Sequence, residues 1–369
     1  MPRRTCDRSC LYTESLKRNT RTLVRKRKVI NGVVSVLLAG TLAGSLAACS
    51  SEGNSTTSDE GASESKAASS DDGEWPRTID TDNGELTLEA KPERIVSTSV
   101  TLTGSLLAVD APVVASGATG ENVEDLSDEN GFFIQWSDEA KEQGVEKLWD
   151  NNSPDAERAV GYAPDLIVVA KNSGDSAFDQ IDRLDQIAPV LVVDYSDASW
   201  QDVTTKIGEA TGEEEEAEDV IADFDNRIDE VRDQIELPDG TTSSFTVFGD
   251  GEGAAALTPE APQNQIPSRL GFDLTEVPED IKGDTSMGKD RGDIISLALE
   301  NVQAGLPGDN WISVSNSKDK EEELRSQPAF STAPEVVEDR LYTTPPSTFR
   351  PDYFSANILL DSILEQFGK

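Results

Sequence analysis

From Arg94 onward, short apolar runs are separated by longer amphipathic or polar segments. Ile95-Val96 and residues 112–115, 165–170 and 189–193 have strand length, and helical patterns occupy 103–109 and 178–187. Strand-length apolar runs alternating with helices predict α/β units on a parallel sheet. The period then changes. Ala217, Val220, Ile221, Phe224, Ile228, Val231 and Ile235 recur at steps of three and four, one face of a helix of roughly 23 residues or about 35 Å. Thr211-Gly212 closes the helix before it, and Pro238-Asp239-Gly240 stops it. The acidic run at 213–216 suits the positive end of the helix dipole and reads as a helix start rather than a metal site. A second α/β pattern follows, with strands at 245–248, 311–314 and 341–343, a helix at 265–270 and a helical turn at 294–297. A closing helix is expected at 351–367, with Phe354, Ile358, Leu359, Ile363, Leu364 and Phe367 on one face. The pattern predicts two Rossmann-like α/β lobes, 75–211 and 238–369, joined by one backbone helix at 212–237. Ligands of open α/β sheets bind at the carboxyl ends of strands, so a cleft between the lobes is the expected site.

The first 74 residues carry no such pattern. Ten basic residues between Arg3 and Lys28 precede an apolar stretch at 33–46, too short to span a bilayer comfortably, and Leu46-Ala47-Ala48-Cys49 follows. Small residues just before a cysteine mark a lipoprotein signal peptide, here 1–48. Cleavage would leave Cys49 as an N-terminus whose thiol carries a thioether-linked diacylglycerol on the outer face of the cell membrane. Residues 50–74 are mostly Ser, Gly, Glu, Asp, Thr and Ala with almost nothing apolar, a flexible tether that reaches about 25 to 30 Å as a coil. Around Asn83-Gly84, alternation on both sides predicts a hairpin; the stretch from Asp80 resembles a calcium loop only faintly, because no glutamate closes it.

Composition narrows the function. Cys6 and Cys10 fall in the signal segment and Cys49 is the lipid site, so the exported domain has no thiols to pair and depends on its core. The net charge is −39, and loss of ten bases and two acids with the first 49 residues takes it to −47. Nucleic acid and anionic surfaces would repel such a chain. There is no histidine, the residue on which extracytoplasmic transition-metal sites and most catalytic triads rely. Nor is there a nucleophile elbow, a phosphate-binding glycine loop or a zinc-protease motif, so neither a bare metal site nor an enzyme is expected.

In so acidic a protein, a base in a cleft loop makes a local anion site. Arg350 follows Phe349 and precedes the closing helix, where a guanidinium can donate several hydrogen bonds beside a helix dipole; a solvated arginine ahead of a helix fits its position equally well. Arg291 and Lys171 are weaker versions, each in a polar loop beside an apolar element. Trp311, Phe349, Tyr353 and Phe354 offer aromatic lining, with the core as the alternative.

The two-lobe layout behind a lipobox resembles the helical-backbone class of solute-binding proteins that feed ABC importers with iron-siderophores or cobalamin. Trp75-Pro76-Arg77, the block from Arg94-Ile95-Val96-Ser97 to Thr119, Gln135-Trp136-Ser137, Gly174-Asp175-Ser176-Ala177 and Thr348-Phe349-Arg350 resemble the ferric-enterobactin-binding members of that class. The resemblance implies a receptor, acting as a monomer, that hands a ferric catecholate to a permease. Catecholate oxygens fill the iron shell, so iron enters only as its chelate and the protein supplies arginine and aromatic contacts. Carried over residue by residue, it makes Arg350 the pocket arginine, puts Leu257 where the family has a pocket tryptophan, and sets acidic residues around Glu124 and Asp125 where a base is expected. Thr101, within the matching block, completes the candidate ligand-binding set. Rival ligands are a hydroxamate siderophore, haem or cobalamin; a rival of another class is a structural or adhesive envelope lipoprotein.

Overall fold

The computed structural model describes residues 75–196, 198–247, 253–282, 293–316, 318–350 and 352–369. Cys49, Arg291 and Pro351, and with them the lipobox and the tether, lie outside the described residues.

Strands β1 (Arg77–Thr81) and β2 (Gly84–Leu88) form the expected antiparallel hairpin. Gly84 takes φ +104°, a value that an L side chain rarely adopts, and the Thr81 hydroxyl donates to its carbonyl at 2.7 Å. Five parallel strands build the first lobe: β3 (Ile95–Ser97), β4 (Val113–Ala118), β5 (Glu146–Asp150), β6 (Leu166–Ala170) and β7 (Val190–Val193). Their order is β5-β4-β3-β6-β7. Both faces of β6 are covered: Leu166, Val168 and Ala170 face one apolar cluster, Ile167 and Val169 another, which is why this strand is a continuous apolar run. The chain runs from β3 outward to β5 and then returns to the other side of β3. The reversal opens a crevice at the carboxyl ends of β3 and β6.

The second lobe has the strands β8 (Thr242–Val247), β9 (Gly253–Leu257), β10 (Ile294–Ala298), β11 (Asn310–Ser313) and β12 (Leu341–Thr343), ordered β10-β9-β8-β11-β12. It is mixed rather than wholly parallel, because β9 pairs antiparallel with both β8 and β10. Residues 294–297, expected as a helical turn, are therefore strand: each pairs across to β9, from Ile294 opposite Leu257 to Leu297 opposite Ala254.

The connecting helix (Glu214–Gln234) buries Ala217, Val220, Phe224, Ile228 and Val231, the face that the period marked. It does not join the lobes alone. The closing helix (Tyr353–Phe367) packs along it, and Arg227 donates to Asn357 Oδ1 at 2.5 Å and pairs with Asp361. Phe224 meets Trp200 edge-on at 5.0 Å. As a result one apolar cluster runs from Ile95 and Leu106 in the first lobe, through Phe224 and Phe354, to Leu257 and Ile312 in the second. The helix Val100–Ala108 also reaches the closing helix: a Cβ on Gly104 would lie 2.3 Å from Asp352 Oδ2, so glycine permits the approach.

A core shared in this way makes the two lobes one cooperative unit. Phe224→Ala is expected to cost about 3–5 kcal/mol and to leave one denaturation transition; urea melts followed by fluorescence and far-UV dichroism would check both. Separate transitions for the two probes would show that the lobes unfold independently.

Candidate ligand-binding cleft

Ser99 follows β3 and begins a helix, its hydroxyl accepting from Leu102 N at 3.1 Å. Asp175 lies in the loop after β6 and is 2% exposed. The topological crevice brings these two positions together. Asp175 Oδ2 accepts from Ser99 Oγ at 2.6 Å and from Thr101 N at 3.0 Å, and Oδ1 accepts from Ser173 Oγ at 2.6 Å and Tyr195 OH at 2.5 Å. Burial pushes this carboxyl up, but the Arg350 charge and the hydroxyl donors outweigh it and hold Asp175 below the usual range. Burial and the Asp175 charge raise the Tyr195 phenol, which stays a donor.

Arg350 reaches this cradle from the other lobe. It follows the short helix Pro346–Phe349, and its loop is held by Gln263 Nε2 donating to Phe349 O at 2.7 Å and Ser355 Oγ donating to Arg350 O at 3.2 Å. Arg350 Nη1 donates to Thr101 Oγ1 at 3.0 Å and stands 3.8 Å from Asp175 Oδ1. Its side chain is still 36% exposed and lines a cleft of ≈ 520 Å³ between the lobes. The arginine is thus oriented by one hydrogen bond and one buried countercharge, and part of its side chain stays open to the cleft.

The walls are chemically divided. Phe349, Pro346 and Ser347 come from the second lobe; Val100, Leu126 and Phe133 supply apolar surface from the first. Leu126 and Phe133 sit on a loop folded back on itself, in which Thr119 N donates to Gly131 O at 2.9 Å and Ile134 N to Leu126 O at 3.0 Å. Gly131 has φ +78°, and a Cβ there would lie 2.3 Å from Thr119 O. Gln135, Asp150, Asn151 and Asn152 complete the first-lobe wall. Among the described residues no group of three or more Cys, Asp or Glu is placed to hold a metal ion.

Of the sequence candidates, Arg350 and Phe349 line the cleft. Thr101 is a correction of role: it is 9% exposed and holds Arg350 rather than facing the opening. Lys171 points elsewhere, its ammonium donating to Asp82 O at 2.5 Å in the hairpin turn. Leu257 is 2% exposed in β9, with a strand on each side, so it is core. Tyr353 is 6% exposed and packed on Trp200 and Phe354, while Trp311 is buried with its indole N–H on Leu306 O. Glu124 and Asp125 are exposed, and the same loop lends Leu126 to the cleft instead. Asp175, Ser99 and Tyr195 escape a sequence reading. A carboxylate between Gly174 and Ser176 just past an apolar strand was the available signal, but its partners lie 76 and 20 residues away.

Behind Arg350, Asp352 caps the closing helix, accepting from Ser355 N at 2.7 Å, with Gln135 Nε2 at 3.4 Å from Oδ2. Burial raises its carboxyl from 3.8 to about 6, against the opposing pull of the Ser355 and Gln135 bonds. A carboxyl that holds its proton more tightly when folded loses stability as pH rises between those values, by about 3 kcal/mol in all. Asp352→Asn keeps a capping oxygen and is expected to lack this decline, so its stability relative to wild type should improve from pH 4 to pH 7 in denaturant melts. Parallel curves for the two proteins would show that Asp352 ionises as freely folded as unfolded.

Comparison with known proteins places this architecture. Residues 95–348 match the periplasmic binding protein family model. The ferric enterobactin-binding periplasmic protein FepB of Escherichia coli O6:H1 is 41% identical over 294 residues, 80% of this chain and 92% of that one. Holo-ViuP superposes with a TM-score of 0.72 at 34% identity, covering 80% of this chain and 97% of its own. Staphylococcus aureus SirA, complexed with staphyloferrin B, gives 0.62 at 19% identity over 79% and 98%, a likeness of fold. With the match to the family model, the two-lobed fold and the interlobe cleft, the chain belongs to the periplasmic binding proteins.

Proposed function

We propose that this chain is a lipid-anchored, extracytoplasmic receptor that captures a ferric catecholate siderophore and delivers it to an ABC permease. The observation that carries the reading is Arg350, reaching from one lobe to within 3.8 Å of the buried Asp175 carboxylate of the other, with Phe349 lining the same cleft. A ferric catecholate joins anionic oxygens to aromatic faces, and a guanidinium beside a ring meets both. Among the relatives, FepB, named for ferric enterobactin, supports the catecholate, and two Bacillus subtilis relatives, YxeB and FhuD, named for iron(3+)-hydroxamates, support the wider class of iron chelates. Iron enters already wrapped by its chelator, so the protein acts by binding rather than by ligating metal or catalysing a reaction. The closing helix braces the connecting helix, which favours small lobe movements and a permease that senses a filled cleft through both lobes.

Titration of the protein from Ser50 onward with ferric enterobactin, followed by tryptophan quenching, tests the ligand class. Arg350→Ala is expected to weaken binding by roughly a hundredfold, the loss of a central charged contact. Quenching by a ferric hydroxamate, haem or cobalamin but not by the catecholate would move the receptor to another chelate. For the anchor, Cys49→Ser in the full chain should abolish incorporation of labelled fatty acid and release the protein from membranes. Retention of the label in that variant would place the lipid elsewhere.

A further inference from the structure

Arg350 and Asp175 stop short of pairing. A guanidinium and a carboxylate in contact ordinarily close to about 2.7 to 2.9 Å, yet Arg350 Nη1 stays 3.8 Å from Asp175 Oδ1, beyond hydrogen-bond distance. The reason lies in the acceptor. An ionised carboxylate oxygen has two lone pairs, and both on Oδ1 are taken, by Ser173 Oγ at 2.6 Å and by Tyr195 OH at 2.5 Å. Oδ2 is filled in the same way by Ser99 Oγ and Thr101 N. The guanidinium instead donates from Nη1 to the Thr101 hydroxyl at 3.0 Å. Both donors to Oδ1 are held in place. Tyr195 lies between Asp194, whose N–H donates to Asp82 Oδ2 at 2.8 Å, and Ser196, whose N–H and hydroxyl donate to Asp194 Oδ1 at 3.1 and 2.5 Å. Asp82 also pairs with Lys206 at 2.9 Å, so the N-terminal hairpin anchors the turn that carries the phenol. Ser173 has φ +142°, a backbone conformation that is costly for an L side chain and persists only where the surroundings over-determine it.

From this arrangement, and resting on the receptor reading above, we infer that Tyr195 is a positioning residue for ligand capture: with Ser173 it fills Oδ1 and so prevents Arg350 from closing onto Asp175. The carboxylate then draws the arginine without taking a hydrogen bond from it. Without the phenol, a direct charge-assisted bond between Arg350 and Oδ1 would compete with any anion that enters the cleft.

Tyr195→Phe removes the donor and keeps the ring. A crystal structure of the ligand-free variant should show Arg350 at about 2.9 Å from Oδ1, against 3.8 Å in the wild type. Titration with ferric enterobactin should show affinity about tenfold weaker, the size of one charge-assisted hydrogen bond gained by the competing pair. Ser173→Gly suits the backbone, removes the other hydroxyl and should act in the same direction. In an Arg350→Ala background neither change should weaken binding further, whereas a merely structural role would cost the same in both backgrounds. An unchanged distance, unchanged or tighter binding, or a loss that persists without Arg350 would overturn the inference while the receptor reading stands. If the wild type does not bind ferric enterobactin, the catecholate reading falls, and the distance in the Tyr195→Phe crystal alone decides whether the phenol keeps the pair apart.

Discussion

The apolar layer between the lobes is the constraint on which everything else depends. The connecting and closing helices are packed face to face, with Phe224, Trp200 and Tyr353 in the seam, and the same cluster continues into both sheets. Because that seam is close-packed, the distance between the two sets of cleft loops is set by side-chain volume rather than by a free hinge. Arg350 can therefore be held 3.0 Å from Thr101 of the other lobe before any ligand arrives. Such preorganisation lowers the ordering cost of binding.

Within that frame the buried carboxylate of Asp175 acts as an internal reference charge. Four donors from its own lobe already satisfy its oxygens, so Arg350 is drawn by charge but not consumed in hydrogen bonding to it. A lysine in the same place would offer a compact ammonium with no planar fork to divide between Thr101 and a guest. The arrangement also sets the guanidinium inside the cleft rather than on the outer surface of a strongly negative chain.

Much of the fold can be read in the chain because local and global demands agree. β6 and β7 are apolar throughout since both faces are covered, and the connecting helix has a clean three-and-four period because one side meets solvent. Legibility fails where they conflict. β9, Gly-Ala-Ala-Ala-Leu, has a helix former's composition, yet its small residues alternate between two crowded faces of a central strand. With β9 unrecognised, β10 loses its partner and looks like a turn of helix. β5 sits at an edge, where Glu146 and Lys147 can face water. In the cleft, position ahead of a helix made Arg350 a candidate, and the resemblance at Thr348-Phe349-Arg350 set it apart from a solvated arginine, with Phe349 beside it in sequence. Lys171 failed the same reasoning because the hairpin turn supplies a nearer acceptor, which sequence proximity does not reveal. Asp175 was invisible for the converse reason: a buried charge is defined by partners that only the folded topology assembles.

Gly104 shows how far from the ligand such dependence extends. It sits on a buried helix where alanine would ordinarily be the better helix former, yet an added methyl would press on the Asp352 carboxylate and stand 2.9 Å from the Trp136 ring. That carboxylate starts the helix immediately after the Arg350 loop. A single carbon at this point would act as a wedge between the lobes at the root of the cleft, so sequence drift that looks conservative here would be felt as a change in what the protein can hold.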